Sequence, residues 1–379
     1  MWRRSFSAGY RCLGRRRIGP KGTWASRAAR ACSVPASPAG GISALQALDV
    51  WEELFEERGV SEPKHSADHI VAHLLGAKTR ESLGRRNLTE ILSRERTEQL
   101  WELCTRRLSR MPVQYVIEQW DFRDLTLKMR PPVFIPRPET EELVELVLMD
   151  LEKTCGQAEE GADAPLTCLE VGCGSGAISL SLLSSLPQLK AIALDRSQDA
   201  VDLTRENASS LGLQDRLQIY HIDVMKDPEA VLRLCSPVSA LVSNPPYLFS
   251  EDMLSLEPEI LRFEDPSALD GGQDGLDVIR QILTMAPKVL SDHGRAYLEV
   301  DPRHPRLIRR WVEANVEELR YVETRHDITG RSVYKTSRPV CPSRGHHLIV
   351  LSAFNLLRFR PEVELMLVFQ VHYCLFNLK

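Results

Sequence analysis

An asparagine, two prolines and a tyrosine end the apolar run Leu241-Val-Ser-Asn-Pro-Pro-Tyr247. Proline has no backbone N–H and fixes its own φ, and each proline also pushes the preceding residue out of the helical region. The segment is therefore predicted to be a rigid loop at the end of a strand. The Asn244 side-chain carbonyl and the Pro245 backbone carbonyl could hold both hydrogens of a planar –NH2 group, while Tyr247 stacks on its flat face. A rigid turn with a buried, hydrogen-bonded asparagine is the alternative interpretation.

Three glycines alternate with small residues after an acid, in Glu170-Val-Gly-Cys-Gly-Ser-Gly-Ala177. Such glycines let the backbone approach a ligand and turn into a helix whose N-terminus presents free N–H groups. The spacing also satisfies the relaxed dinucleotide fingerprint G-x-G-x-x-G/A. The additional Gly176 and the acid at position 170 are more typical of proteins that bind a nucleoside-methionine cofactor.

Asp195 follows this loop by about twenty residues, at the end of the next predicted strand. An acid at that place can accept hydrogen bonds from ribose hydroxyls, in dinucleotide and nucleoside-methionine binders alike. The alternative is a glycine-rich turn with a solvated aspartate. Both cofactor classes thus remain compatible with Asp195.

Strands and helices alternate from Leu166 onward, which predicts an α/β fold with a doubly wound, mostly parallel sheet. The predicted strands are Thr167–Val171, Ala191–Asp195, Leu217–Ile222, Ala240–Ser243, Ala296–Val300 and Leu319–Thr324. Ligands bind at the carboxyl ends of such strands. Asn244 is therefore predicted to share a crevice with the glycine loop.

The chain before this sheet has a different character. Residues 43–110 carry apolar residues at helical spacing and predict a small helical bundle. Residues 111–136 suggest short strands, which we interpret as a hairpin that links two domains. A helix is predicted to begin near Pro138. No run of about 18 apolar residues occurs, so no membrane span is expected.

The charge of the 379-residue chain is unevenly distributed. Its composition is ordinary for a globular protein, with 43% hydrophobic residues and a formal net charge of −4, but nine Arg and Lys precede the first acid, Asp49. Arg mixed with Ser and Ala, without a continuous apolar core, predicts a mitochondrial transit peptide over residues 1–42. A basic arm that binds an acidic partner is the alternative. The nine cysteines include no C-x-x-C pair, so neither a zinc site nor a disulfide framework is predicted.

Several motifs together resemble the HemK/PrmC family of S-adenosylmethionine-dependent methyltransferases. Besides Asn-Pro-Pro-Tyr and the glycine loop, the resemblance rests on Pro112–Tyr115, Ile135–Glu141 and Phe263–Leu276, in the family's order over residues 43–332. The resemblance implies N5-methylation of the glutamine in the Gly-Gly-Gln motif of peptide chain release factors. With the basic leader it implies the mitochondrial matrix and a class I mitochondrial release factor as substrate. Residues 137–336 would then form the methyltransferase domain, and 43–110 a substrate-recognition domain.

The family pattern also implies roles for individual residues. Asn244 and Pro245 are expected to be catalytic, and together with Pro246 and Tyr247 to bind the substrate glutamine. We expect a monomer that contacts neither membrane nor nucleic acid directly and that needs no metal. The residues expected to bind S-adenosylmethionine are Glu170, Gly172, Cys173, Gly174, Ser175, Gly176, Asp195, Asp223, Val224 and Asn244.

Two features complicate this interpretation. Gly271-Gly272-Gln273 spells the release-factor motif within this chain, but it follows a methyltransferase core and is read as a turn. The C-terminus departs from the family, which continues Asp327–Arg331 into a hydrophobic strand. Here Ser332–Thr336 is predicted as a short substitute strand, and residues 337–379 form an atypical tail without a functional interpretation.

Two other functions remain open from the sequence. An adenine amino group would fit the same acceptors, so N6-adenine methylation of DNA is one alternative; it requires a flipped base and a basic groove. Residues 43–110 interleave their arginines with acids, which weighs against DNA. The other alternative is a catalytically inactive protein whose altered C-terminus disrupts the sheet. Binding of S-adenosylmethionine would separate this alternative from both enzymes.

Overall fold

The computed structural model describes residues 36–38, 40–157, 166–235, 237–326 and 346–352. The predicted transit peptide therefore falls almost wholly outside the described residues. The same is true of the substitute strand predicted at Ser332–Thr336. Within the described part of the chain, no helix has both the length and the apolar character required to cross a membrane.

The N-terminal domain is helical, in agreement with the periodicity of residues 43–110. The capping box of Ser43 and Gln46 begins the first helix, because the Ser43 hydroxyl accepts from the Gln46 N–H and the Gln46 side chain accepts from the Ser43 N–H. Trp51 packs edge-on against Trp101 at a centroid distance of 5.3 Å in the core of the domain. The helices are α1 (Ala44–Glu57), α2 (Pro63–Leu74), α3 (Arg85–Thr89) and α4 (Arg94–Leu108).

A short linker joins this domain to the sheet. It contains one helical turn, α5 (Val113–Val116), and then the antiparallel hairpin of β1 (Gln119–Phe122) and β2 (Leu125–Lys128). The sequence predicted strands here, and the helical turn at its start was missed. The Tyr115 hydroxyl donates a 2.5 Å hydrogen bond to the Val133 carbonyl, which ties the linker to the chain that enters the second domain.

Among the described residues, seven parallel strands form the sheet of the second domain, in the order β5-β4-β3-β6-β7-β9-β8. The strands are β3 (Thr167–Val171), β4 (Lys190–Asp195), β5 (Leu217–His221), β6 (Val238–Ser243), β7 (Leu290–Val300), β8 (Leu319–His326) and β9 (His346–Ser352). The helices around it are α6 (Glu139–Gln157), α7 (Ala177–Ser185), α8 (Gln198–Ser210), α9 (Pro228–Leu234), α10 (Pro258–Phe263), α11 (Asp277–Val289) and α12 (Pro305–Asn315).

Apolar cores cover both faces of this sheet. Cys168 and Leu169 are adjacent on β3, fully buried, and belong to different cores. A parallel sheet buried on both faces explains why its strands read as continuous apolar runs and not as alternating patterns. All six strands predicted from the sequence are present, with ends that differ by a few residues.

The seventh strand corrects the predicted C-terminal boundary. Residues 346–352 lie in the segment assigned to an atypical tail after residue 336, yet they form β9 between β7 and β8. Leu348 and Val350 are fully buried there. The physical reason is that β7 and β8 each present an open edge, and the run His-His-Leu-Ile-Val-Leu-Ser pairs with both.

Candidate functional site

A cleft opens at the carboxyl ends of β3, β4 and β6, as expected for a doubly wound sheet. It encloses about 940 Å³ of space, a volume that includes open solvent at its mouth. Gly172, Asp195 and Asn244 all line it, so the structure brings the three predicted motifs together. Pro245, Pro246, Gly174, Asp223 and Val224 also line the cleft.

The glycine loop after β3 turns with its first two glycines open to this cleft. Gly172 and Gly174 have φ of +78° and +55°, and a Cβ on either would meet no atom within 4 Å. Gly176 has a different reason to be glycine. Its φ is +85°, and a Cβ would lie 2.9 Å from Leu180 and 3.0 Å from Thr204. Gly176 therefore allows the loop to pack against its neighbours, whereas Gly172 and Gly174 border the ligand space.

Asp195 ends β4 and holds the loop in place. Its Oδ2 accepts a 2.9 Å hydrogen bond from the Gly174 N–H, and its Oδ1 accepts one of 2.8 Å from the Ser197 N–H. Burial raises the pKa of Asp195, while these two hydrogen bonds act in the opposite direction. The carboxylate thus links the glycine loop to the N-terminus of α8 at the wall of the cleft.

Four residues predicted to bind the cofactor do not line the cleft: Gly176, described above, and the three that follow. Glu170 is 1% exposed and accepts hydrogen bonds from the N–H and hydroxyl of Ser179 beneath the loop. Cys173 is buried, with its sulfur 3.4 Å from the Thr204 hydroxyl. The side chain of Ser175 is also buried. These side chains shape the loop from below.

The segment Asn244–Tyr247 is divided between the cleft and the core. The Asn244 Nδ2 donates a 3.1 Å hydrogen bond to the hydroxyl of Thr140, in the first turn of α6. Tyr247, which we expected to stack on a substrate amide, does not line the cleft. Its ring is 8% exposed, and its hydroxyl donates to Glu299 at 3.3 Å. Neighbouring residues of the loop therefore face different environments.

A further part of the cleft wall was not assigned from the sequence. It consists of Pro132–Phe134, from the linker, and of Asp265, Ser267, Ala268 and Asp270. The Asp265 N–H donates to the Pro132 carbonyl at 2.8 Å, so the two segments support each other. The motif Phe263–Leu276, on which part of the family resemblance rests, was the sequence signal that could have placed Asp265–Asp270 at the site.

Carboxylates dominate the charge around the cleft. Asp195, Asp223, Asp265 and Asp270 line it, against a single cation, Arg196, among the lining residues. Acidic walls favour a positively charged ligand. A loop of open glycines, a ribose-type acid and negative walls fit a cationic nucleoside better than a dinucleotide, whose pyrophosphate is anionic.

Comparisons with known proteins agree with the two-domain architecture. Residues 46–117 match the model of the PrmC N-terminal domain, and residues 156–261 match that of the methyltransferase small domain. Over 299 residues the chain is 49% identical to the human MTRF1L release factor glutamine methyltransferase, covering 78% of this chain and 88% of the relative.

Bacterial relatives are more distant but similarly well covered. The release factor glutamine methyltransferase of Streptococcus pneumoniae is 34% identical, over 64% of this chain and 80% of the relative. That of Deinococcus radiodurans is 32% identical, over 74% and 92%. At 49% identity over most of both chains, the human relative shows that the chain belongs to the release factor glutamine methyltransferase family.

Proposed function

We propose that this chain transfers a methyl group from S-adenosylmethionine to the side-chain nitrogen of the glutamine in the Gly-Gly-Gln motif of a mitochondrial class I release factor. The observation that carries the proposal is the position of Asn244. It follows β6 directly and lines the same cleft as Gly172 and Asp195. An acceptor for an amide –NH2 group thereby lies beside a site suited to a cationic nucleoside.

The residues of the cleft fit S-adenosylmethionine. Gly172 and Gly174 leave room for the ligand, Asp195 and Asp223 can accept hydrogen bonds from its hydroxyl and amino groups, and the acidic walls complement its positive charge. Bound there, S-adenosylmethionine supplies an electrophilic methyl group. Val224 adds apolar contact beside Asp223.

The acceptors at Asn244 and Pro245 address the weakness of the nucleophile. An amide nitrogen is unreactive because its lone pair is delocalised into the carbonyl, so positioning must supply much of the acceleration. Formation of the new N–C bond would be matched by breaking of the S–CH3 bond, with S-adenosylhomocysteine as the leaving group. The nitrogen would then become positive and its hydrogens stronger donors. Fixed carbonyl acceptors then stabilise the transition state more than the ground state, before one proton leaves to solvent.

The test is mass spectrometry of a mitochondrial release factor incubated with this protein and isotopically labelled S-adenosylmethionine. We expect one labelled methyl group on the Gly-Gly-Gln glutamine and none when that glutamine is replaced by alanine. The Asn244→Ala variant should lose about 10²–10³-fold in turnover, as for removal of one preorganised hydrogen-bonding group. Its affinity for S-adenosylmethionine should change far less than its turnover, because Gly172, Gly174, Asp195 and Asp223 still line the cleft. Binding of the cofactor without transfer to any release factor would reject the proposal.

We also assign recognition of the intact release factor to the helical domain, residues 43–110, because one glutamine side chain cannot specify a protein. An isolated Gly-Gly-Gln peptide should then be methylated with a far lower kcat/KM than the whole factor. Equal values would contradict this assignment. Location in the mitochondrial matrix rests on the basic N-terminal leader, and fusion of residues 1–42 to a fluorescent protein tests it.

A further inference from the structure

We propose that Thr140 is a positioning residue that fixes which end of the Asn244 carboxamide faces the substrate, and that Glu299 anchors this arrangement. The effect on methyl transfer rests on the function proposed above, whereas the orientation of the amide can be tested without it. Thr140 lies in α6 and Glu299 in β7, so neither belongs to the Asn-Pro-Pro-Tyr motif.

The first observation is the hydrogen bond between Asn244 and Thr140. A carboxamide has a donor end and an acceptor end of nearly equal shape. The 3.1 Å bond from Nδ2 to the Thr140 hydroxyl occupies the donor end. Thr140 is 3% exposed, so water does not readily take its place. The acceptor end, Oδ1, is then left for the hydrogens of a substrate amide.

The opposite orientation would oppose the reaction. With Oδ1 toward Thr140, Nδ2 would face the substrate –NH2 group, donor against donor. Nothing in the shape of the asparagine prevents this flip, so a neighbouring group must decide it. A threonine hydroxyl can donate or accept. It accepts from the Asn244 Nδ2, and so favours this orientation, only if it donates its own hydrogen to another acceptor.

Glu299 provides an acceptor to which the Thr140 hydroxyl can donate its hydrogen. It is 1% exposed, close to the end of β7, and its Oε1 accepts a 3.3 Å hydrogen bond from the Tyr247 hydroxyl. Among the described residues its Oε2 has no hydrogen-bond partner. Burial raises the pKa of Glu299 to about 7, and the neighbouring hydroxyls of Thr140 and Tyr247 oppose this rise. One buried carboxyl group thereby contacts Tyr247 and lies beside Thr140, the hydrogen-bond partner of Asn244.

The test compares Thr140→Val, which keeps the shape and removes the hydroxyl, with Thr140→Ser, which keeps the hydroxyl. Nuclear magnetic resonance of the full chain with ¹⁵N-labelled asparagine, assigned by comparison with Asn244→Ala, reports hydrogen exchange of the Asn244 side-chain amide. Protection should fall at least tenfold in Thr140→Val and stay within threefold of the original protein in Thr140→Ser. Turnover should follow the same order, with the affinity for S-adenosylmethionine unchanged.

The outcomes separate this inference from the proposed function. Original protection and turnover in Thr140→Val would overturn it, and equal losses in the serine and valine variants would reduce Thr140 to a packing role. Should the original protein bind S-adenosylmethionine but methylate no release factor, the proposed function fails, and the amide protection still decides the role of Thr140. Glu299→Gln offers a second check. A loss of protection of the Asn244 side-chain amide in this variant would support the role of Glu299, and unchanged protection would reject it.

Discussion

Arg107 of α4 and Glu259 of α10 form an ion pair of 3.3 Å in which the two side chains are only 4% and 7% exposed. The Ser61 hydroxyl also donates to Glu259 at 2.9 Å, and the Ser61 backbone carbonyl accepts from Arg107 at 2.8 Å. The pair joins the helical domain to the segment that follows the Asn244–Tyr247 loop. The helical domain is therefore held at a defined place beside the cleft.

Removal of one member of this pair should be costly. In Glu259→Ala the guanidinium of Arg107 remains buried without its carboxylate, so we expect the free energy of unfolding to fall by about 3 kcal/mol. Urea denaturation measures it. Glu313→Ala is a matched control, because the Arg309–Glu313 pair is about 60% exposed on both sides and should change stability by less than about 1 kcal/mol. Similar losses in both variants would refute a special role for the buried pair.

Asp195→Asn should weaken cofactor binding. The change removes a negative charge from the cleft and replaces one of the two acceptor oxygens that hold Gly174 and Ser197 by a donor. We expect the Kd for S-adenosylmethionine, measured by calorimetry, to rise at least about tenfold, the effect of 1.4 kcal/mol. Asp202→Asn, on the exposed side of α8, should leave it unchanged. An unaltered Kd in Asp195→Asn would place the cofactor elsewhere.

Gly271 packs closely against the backbone of the Asn244–Tyr247 segment. A Cβ there would lie 2.7 Å from the carbonyl oxygens of both Pro246 and Gly275. Gly271→Ala should lower stability by about 1–3 kcal/mol, as overpacking does, and reduce kcat because the Pro246 segment must move. Gly84→Ala is the control, since a Cβ at Gly84 meets nothing within 4 Å. Thermal unfolding and initial rates of the two variants would show the difference in stability and in kcat. Full activity in Gly271→Ala would argue against a role of Gly271 in placing the Pro246 segment.

Glu170 should make stability dependent on pH. Burial raises its pKa from 4.5 to about 8, despite the hydrogen bonds from Ser179, and the charge of Asp195 adds to the rise. Above pH 4.5 the unfolded chain releases this proton while the folded chain retains it, so stability falls with rising pH until about pH 8. The slope for one proton is at most about 1.4 kcal/mol per pH unit.

Glu170→Gln, which keeps an acceptor for Ser179 and carries no charge, isolates this contribution. Relative to the original protein, the variant should gain stability between pH 5.5 and pH 8.5 in denaturant unfolding. A constant difference between the two proteins over that interval would show that Glu170 titrates outside it.

The sequence by itself determined the elements and the motifs of this protein. Apolar runs between turn residues located six of the seven sheet strands in the part of the chain that the structure describes, and helical spacing identified the N-terminal bundle. Both patterns follow from local geometry. Glycines at 172 and 174 and the acid at 195 predicted a ligand site, and the end of β6 placed Asn244 beside it. These features depend on residues close together in the chain.

Only the tertiary structure decided how distant residues meet. Thr140 contacts Asn244 across 104 residues, Arg107 pairs with Glu259 across 152, and the Pro132 carbonyl accepts from the Asp265 N–H in one wall of the cleft. The same applies to Tyr247, which turns toward Glu299, and to β9, which pairs between β7 and β8. The physical reason is that each such partner is selected by packing and by the need to satisfy buried polar groups, and neither requirement leaves a periodic signal in the local sequence.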